Sequence, residues 1–210
     1  MINTEAKIAK ILLETSAIKL SPEKPFKWSS GWNSPIYCDN RTVLSYSHHR
    51  KAIKEMLSAK IAAEFEGVDT IIGVATAGIA MGALVADELS LSYAYCRPEP
   101  KSHGLKRQLE GKVDKDAKIV VLEDLISTGG SSLKVVEYLR AEGYNVMGMA
   151  AIFTYGFQIA DDNFNHADCK YITLGNYASM IEEAVTSGYV QESDLASLAQ
   201  WRENPAEWGV

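Results

Sequence analysis

Cysteine is scarce in this chain of 210 residues, and what there is does not pair. Cys38, Cys96 and Cys169 are odd in number and none stand in a Cys-x-x-Cys spacing. That favours structural thiols in a reducing compartment over disulfides or a zinc site. Positive charge is short as well. Lys and Arg number 21 against 27 Asp and Glu, a net charge of −6, which argues against a general nucleic-acid binder. No apolar run approaches the ~20 residues of a membrane span. Asn3-Thr4-Glu5 opens a polar amphipathic helix where a secretion signal would be apolar, so a cytoplasmic location is expected. His48-His49 have no carboxylate or cysteine at metal-ligand spacing and are expected to be solvated. Ser-His-Asp and Cys-His arrangements are missing too. There is no internal repeat, low-complexity tract or linker.

What is present reads as an ordinary globule, 47% hydrophobic and 23% charged, long enough for a sizeable core. Helical spacing over residues 4–16 is followed by Ile18-Lys19-Leu20 and an aromatic, polar segment from Phe26 to Arg41. That segment fits two short strands joined by a Ser-Gly turn, and Trp28 and Trp32 read singly as packing residues. A helix from Tyr46 to Phe65 comes next. From Thr70 a strand–helix rhythm begins, with strands at Thr70–Val74, Tyr93–Arg97, Ile119–Leu122, Asn145–Phe153 and Tyr171–Leu174. Alternation of this kind predicts an α/β fold, a parallel sheet with helices on both faces. A small N-terminal hood or lid (1–45) is expected ahead of the core (46–210), the whole forming one structural unit. The stretch Asp161 to Asp168 is rich in ligand-type residues but lacks a calcium loop's glycine and terminal glutamate, and reads as a helix turn.

The chain is organised around IVVLEDLISTGGSS, Ile119 to Ser132. Its apolar start suits a strand buried on both faces. Glu123 and Asp124 follow where that strand is expected to end, and then come Ser127-Thr128-Gly129-Gly130-Ser131-Ser132 and a helix. A loop of small residues turns backbone N–H groups inward and the helix start adds its positive dipole end, so together they bind phosphate. The acids would repel that phosphate if they faced it. They are better placed beside it, accepting sugar hydroxyls or holding a divalent cation. The plain alternative is a strand–helix turn with a serine N-cap.

Two more loops leave strand ends on the same side, where ligands bind in open parallel sheets. Ala75-Thr76-Ala77-Gly78 offers backbone amides to a pyrophosphate. Arg97 to Gly111 is long and carries four cations and His103 with little to bury, which suggests a mobile cover for a polyanion. From Arg97 to Lys118 there are seven Lys/Arg against four Asp/Glu, a basic island in an acidic chain.

The run Val121-Leu122-Glu123-Asp124-Leu125-Ile126-Ser127-Thr128-Gly129-Gly130-Ser131 resembles the phosphoribosyl-pyrophosphate signature of the type I phosphoribosyltransferases. With the loop's Arg97, Lys101 and His103-Gly104, and with SGWNSPIYCDNR upstream, the chain is similar to the orotate-using members of that family from about residue 7 to Thr154. The resemblance implies Mg²⁺-dependent transfer of phosphoribose from phosphoribosyl pyrophosphate to orotate, the metal held mainly through the substrate. It implies that Lys101, His103 and Asp124 are catalytic and that Arg97, Lys101 and His103 contact the pyrophosphate or 5-phosphate. Glu123 and Asp124 would hold the ribose hydroxyls. Ser127 to Ser131, with Thr128, Gly129 and Gly130 between, would hold the 5-phosphate, Leu125 and Ile126 would belong to the same phosphoribosyl-pyrophosphate-binding run, and Ser127 would also touch orotate. It further implies a homodimer whose Arg97–Gly111 loop serves the neighbouring subunit. At Ser29, Thr76-Ala77, Pro98 and Tyr155 the chain departs from residues that some members use, and no role is carried to them. Backbone amides between Ser30 and Tyr37 are the candidates for the orotate carboxylate. The alternatives are a phosphoribosyltransferase for a purine base, and a non-catalytic phosphoribosyl-pyrophosphate sensor. A sensor could spare the cationic cover, and a DNA-binding one would need a basic helix that the sequence lacks.

Overall fold

The computed structural model describes residues 4–28, 31–99 and 108–209. In chain order the elements are α1 (Thr4–Glu14), β1 (Ile18–Leu20), β2 (Phe26–Lys27), β3 (Asn33–Ser34), β4 (Ile36–Cys38) and a 3₁₀ helix (Asn40–Ser45). Next come α2 (Ser47–Glu64), β5 (Thr70–Val74), α3 (Gly78–Leu89), β6 (Ser92–Cys96), β7 (Leu109–Glu110), β8 (Lys118–Ile126) and α4 (Gly130–Ala141). The chain ends with β9 (Asn145–Thr154), α5 (Gln158–His166), β10 (Tyr171–Asn176), α6 (Tyr177–Thr186), a 3₁₀ turn (Glu192–Asp194) and α7 (Leu195–Glu203).

Six strands form one sheet in the order β10-β9-β8-β5-β6-β7. All neighbours are parallel except β7, which runs back along β6 through Tyr95↔Glu110 and Cys96↔Leu109. The β8 side chains divide by the period of two expected of a strand. Val120 and Leu122 join the hydrophobic layer made with α1, α2 and α6, while Ile119 and Val121 join the layer under α4 and α5. Burial on both faces is why this strand reads as a continuous apolar run.

Three local differences from the sequence reading have physical causes. Strand β8 does not stop at Leu122. Its ladder with β5 ends there, at Gly73↔Leu122, but its ladder with β9 continues to Ile126↔Thr154. Glu123 and Asp124 therefore lie inside the strand, along the stretch where β8 has lost its β5 neighbour. The aromatic N-terminal segment forms three short strands where two were expected. The β2–β3 hairpin pairs Lys27↔Asn33, and after Pro35, which has no N–H for a ladder, β4 pairs with β1. The long loop after β6 is shortened at its end by β7. Residues 100–107, Lys101 and His103 among them, lie outside the described residues.

The order β6-β5-β8-β9 means that the chain winds outward in opposite directions from β5 and from β8. The crevice at the carboxyl ends of these two strands is a topological switch point, where open α/β sheets bind ligands. Among the described residues no helix is long and apolar enough to cross a membrane.

Candidate active site

A cavity of about 300 Å³ occupies that crevice. Ala75, Thr76 and Ala77 after β5 form one side, and Glu123 to Leu125, Ser127 to Gly129, Ser131 and Ser132 the other. Two glycines make the walls possible. Gly129 has φ of 79°, and a Cβ there would stand 2.7 Å from the Phe164 ring. Gly78 starts α3 so close to β8 that a Cβ would lie 2.4 Å from the Leu122 carbonyl oxygen. Gly129 also occupies the cap of α4, and no side chain caps that helix. The serine-cap reading is thus set aside. The loop hydroxyls are not spent on capping, and the helix start keeps the orphan N–H groups that bind anions.

The acidic pair sits at the edge of this cradle. Glu123 is 6% exposed, and its carboxylate accepts from the Asp124 N–H and from Ser132 Oγ, both at 3.0 Å. Burial pushes the Glu123 carboxyl well above its ordinary pKa, and the Asp124 charge adds to the rise. Asp124 is also raised by burial, opposed by hydrogen bonds and by the Arg41 charge. From the stretch after β4, Asn40 Nδ2 donates to the Asp124 carbonyl oxygen at 2.8 Å. Two carboxyls so poorly solvated gain from hydroxyl donors or a cation brought by a ligand.

A second cavity, about 580 Å³, shares the Leu125, Ser127 and Thr128 wall with the first. Its other lining residues are Lys27, Trp28, Trp32, Tyr37, Cys38 and Tyr155. Aromatic walls with a few polar groups suit a flat heterocycle. Tyr155 is 2% exposed and packs at 5.2 Å, ring to ring, on Trp28. Burial raises its phenol pKa, so the hydroxyl stays protonated and able to donate. Burial likewise raises the Cys38 thiol, which donates to Asn40 Oδ1 at 3.4 Å.

The structure gathers Glu123, Asp124, Leu125, Ser127, Thr128, Gly129 and Ser131 around the cradle, with Ser127 bordering both cavities. Two other residues of the run do not line it. Ile126 is fully buried in the layer under α4 and contributes only its carbonyl, which accepts from the Tyr155 N–H at 3.2 Å. Gly130 is the first residue of α4. Arg97 stands just past β6, at the base of the long loop. Its backbone pairs with Gln108, and its side chain lies 3.9 Å from Glu110 and beside the Tyr95 ring. Lys101, His103 and Ser30 lie outside the described residues. Sequence reasoning missed the aromatic cavity. It took Trp28 and Trp32 for packing residues, gave Tyr155 no role, and did not single out Lys27, the one cation among the described residues of that lining. Among the described residues no three His, Cys, Asp or Glu side chains gather as a metal cage.

A sugar-phosphate cradle at the switch point, joined to a slot for a ring, defines a phosphoribosyltransferase, and a family model described as the phosphoribosyl transferase domain matches residues 43–187. Over 207 residues the chain is 51% identical to the orotate phosphoribosyltransferase of Cytophaga hutchinsonii, covering 99% of both. It is 50% identical over 203 residues to that of Porphyromonas gingivalis, with 97% of each covered. The crystal structure of orotate phosphoribosyltransferase from Aeropyrum pernix superposes with a TM-score of 0.75 at 28% identity, covering 88% of this chain and 99% of that one. The chain belongs to the orotate phosphoribosyltransferase family.

Proposed function

We propose that the protein transfers phosphoribose from phosphoribosyl pyrophosphate to orotate, giving orotidine 5′-monophosphate and pyrophosphate for pyrimidine nucleotide synthesis in the cytoplasm. The observation that carries this reading is the shared Leu125-Ser127-Thr128 wall, which sets an aromatic slot beside a phosphate cradle. In that arrangement the 5-phosphate rests on the loop from Ser127 to Ser131 and the ribose hydroxyls meet Glu123 and Asp124. The base lies against the aromatic lining made by Trp28, Trp32, Tyr37 and Tyr155. As pyrophosphate leaves, C1 becomes cationic, and negative charge on Asp124 beside the ribose stabilises it. Orotate supplies the attacking nitrogen, so the protein needs no nucleophile.

Mg²⁺ fits this site as a cation carried by the substrate. Two adjacent carboxyls are too few for a full protein cage, and Mg²⁺ keeps water and phosphate oxygens among its ligands. When bound, it neutralises charge on the departing pyrophosphate. Arg97, Lys101 and His103 add to that neutralisation, with Lys101 and His103 acting as catalytic residues beside Asp124. Of the N-terminal segment, Lys27, Trp28, Trp32, Tyr37 and Cys38 form the hood over the base, while α1 packs into the sheet's hydrophobic layer. Among the hood's described residues Lys27 supplies positive charge near the orotate carboxylate.

A panel of bases incubated with phosphoribosyl pyrophosphate and Mg²⁺ tests the reaction. Orotate absorbance is expected to fall, uracil, hypoxanthine and adenine are expected to persist, and a chelator is expected to stop turnover. Consumption of a purine with orotate untouched overturns the reading, and so does full activity in the chelator. The loop from Arg97 to Gly111 is further proposed to act across a homodimer. Mixing Lys101→Ala with Asp124→Ala subunits then makes about half the dimers mixed, each with one unimpaired site, so about a quarter of wild-type activity returns. No recovery after confirmed subunit exchange rules the shared site out.

A further inference from the structure

Both walls of the aromatic cavity lean on one residue near the end of the chain. Trp201 of α7 is fully buried, and its indole meets Trp28 edge to face at 5.6 Å. The same indole meets Tyr155 at 5.6 Å and Phe157 at 5.4 Å. Trp28 belongs to the β2–β3 hairpin, whereas Tyr155 and Phe157 flank the turn after β9. The two walls thus share a support that belongs to neither. Two hydrogen bonds extend it. Arg202 Nη2 donates to the Gly156 carbonyl at 3.1 Å, holding the turn that presents Tyr155. Asn33 Nδ2, on the hairpin, donates to the Gly209 carbonyl at 2.9 Å, across 176 positions of sequence. Trp208, 8% exposed, seals the turn after α7 by donating from Nε1 to Ser197 Oγ at 3.2 Å. A hairpin of two-residue strands is too short to hold a position by its own ladder.

We propose that α7 and the turn after it are the positioning element of the base slot, fixing how its hairpin side and its Tyr155 side, which meet where Trp28 packs on Tyr155, are set against each other. Arg202, Asn33 and Trp201 are positioning residues, since each acts through a wall and none lines the cavity. The 5-phosphate cradle makes none of these contacts: Ala75–Ala77 lead into α3, and Ser127–Gly129 join β8 to α4, with Asn163 of α5 donating to the Thr128 carbonyl at 2.9 Å. The design therefore separates the base from the sugar phosphate. Loosening the C-terminal segment affects base binding and leaves phosphoribosyl-pyrophosphate binding intact. The claim rests on the reading that this slot takes the base.

Arg202→Ala and Asn33→Ala each remove one surface-side hydrogen bond and leave the buried aromatic packing alone. Each is expected to raise KM for orotate about three- to ten-fold, with KM for phosphoribosyl pyrophosphate held within about two-fold. Arg202→Lys, which keeps a donor, should recover part of the loss. Amide hydrogen exchange gives a readout free of substrate. In Asn33→Ala it should speed up at residues 26–28 and 32–38 and stay unchanged at 118–126. Wild-type KM for orotate in both variants overturns the proposal, as does a parallel rise of both KM values with a falling melting temperature. If the wild-type enzyme turns over no orotate, the functional reading falls instead. Exchange then decides the positioning claim alone, and unchanged rates at 26–28 and 32–38 overturn it.

Discussion

Asp124→Asn is expected to lower kcat/KM about ten- to hundred-fold while the melting temperature stays near that of the wild type. The residue is at the open edge of β8, past the end of the β5 ladder, so its side chain holds no strand in place. Its backbone is tied to the fold by the Asn40 bond to its carbonyl, by its N–H to Glu123 and by the β9 ladder on either side, and the substitution leaves all of these intact. What is lost is charge beside the ribose as C1 turns cationic. Glu123→Gln makes the contrast. The wild-type carboxyl is raised by burial, so the folded state holds its proton to higher pH than the unfolded chain does. Stability associated with Glu123 is full below the unfolded carboxyl pKa and is lost as pH rises through the folded one. A neutral glutamine escapes that loss and can still meet Ser132 and the Asp124 N–H. The free enzyme should thus melt a few degrees higher than wild type at pH 8, the gap closing as pH falls toward the ordinary carboxylate range. Thermal scans from pH 5 to 8 check this. A melting temperature that collapses in Asp124→Asn with normal turnover per folded molecule shows a structural residue. A Glu123→Gln enzyme less stable than wild type at pH 8 shows that its charge is already compensated in the fold.

The parts of this site that a reader of the sequence can find are the parts made locally. An apolar run, two acids and a small-residue loop are consecutive, and each has one dominant physical use, so the cradle from Glu123 to Ser131 was legible. So was the parallel sheet, from the spacing of its strands. What stayed hidden depends on partners far away. Whether β8 ends at Leu122 or Ile126 is decided by β9, which continues alongside it after β5 has stopped. The aromatic slot takes Trp28, Tyr37, Leu125 and Tyr155 from separate elements, and each alone is an ordinary apolar or aromatic residue. Asn40 lies near the end of the SGWNSPIYCDNR run, where nothing local shows its partner, yet it latches that stretch to Asp124, 84 positions on. Trp201 reads from its helix as a core residue, which it is. Only the fold places that core under both walls of the slot.

Gly78→Ala is expected to lower kcat/KM for phosphoribosyl pyrophosphate about hundred-fold, a larger loss than its stability cost alone explains. The backbone at Gly78 needs no special conformation, since it is the first residue of α3 and is not among the glycines with positive φ. Space is the constraint. A Cβ would lie 2.4 Å from the Leu122 carbonyl oxygen, and that oxygen belongs to the middle strand of the sheet and cannot yield. The start of α3 must lift away instead, taking Ala75 to Ala77 with it and opening the cradle on its pyrophosphate side. Overpacking of this kind costs about 1–3 kcal/mol, and a displacement near ~1 Å at a reacting centre costs about a hundred-fold in rate. Gly82, one turn further along the same helix, separates the two effects. Its Cβ would meet the Tyr93 ring at 3.1 Å and the Gly73 Cα at 3.3 Å, so its nearest neighbours are on β5 and β6. Gly82→Ala should therefore lower the melting temperature while keeping most of the activity per folded molecule. Gly78→Ala should lose both. The measurement is kcat and KM for phosphoribosyl pyrophosphate, normalised to the folded fraction, in the two variants side by side. Equal losses in both would mean that α3 acts on the site only through overall stability. Normal kinetics in Gly78→Ala would mean that the loop after β5 has no part in holding the pyrophosphate.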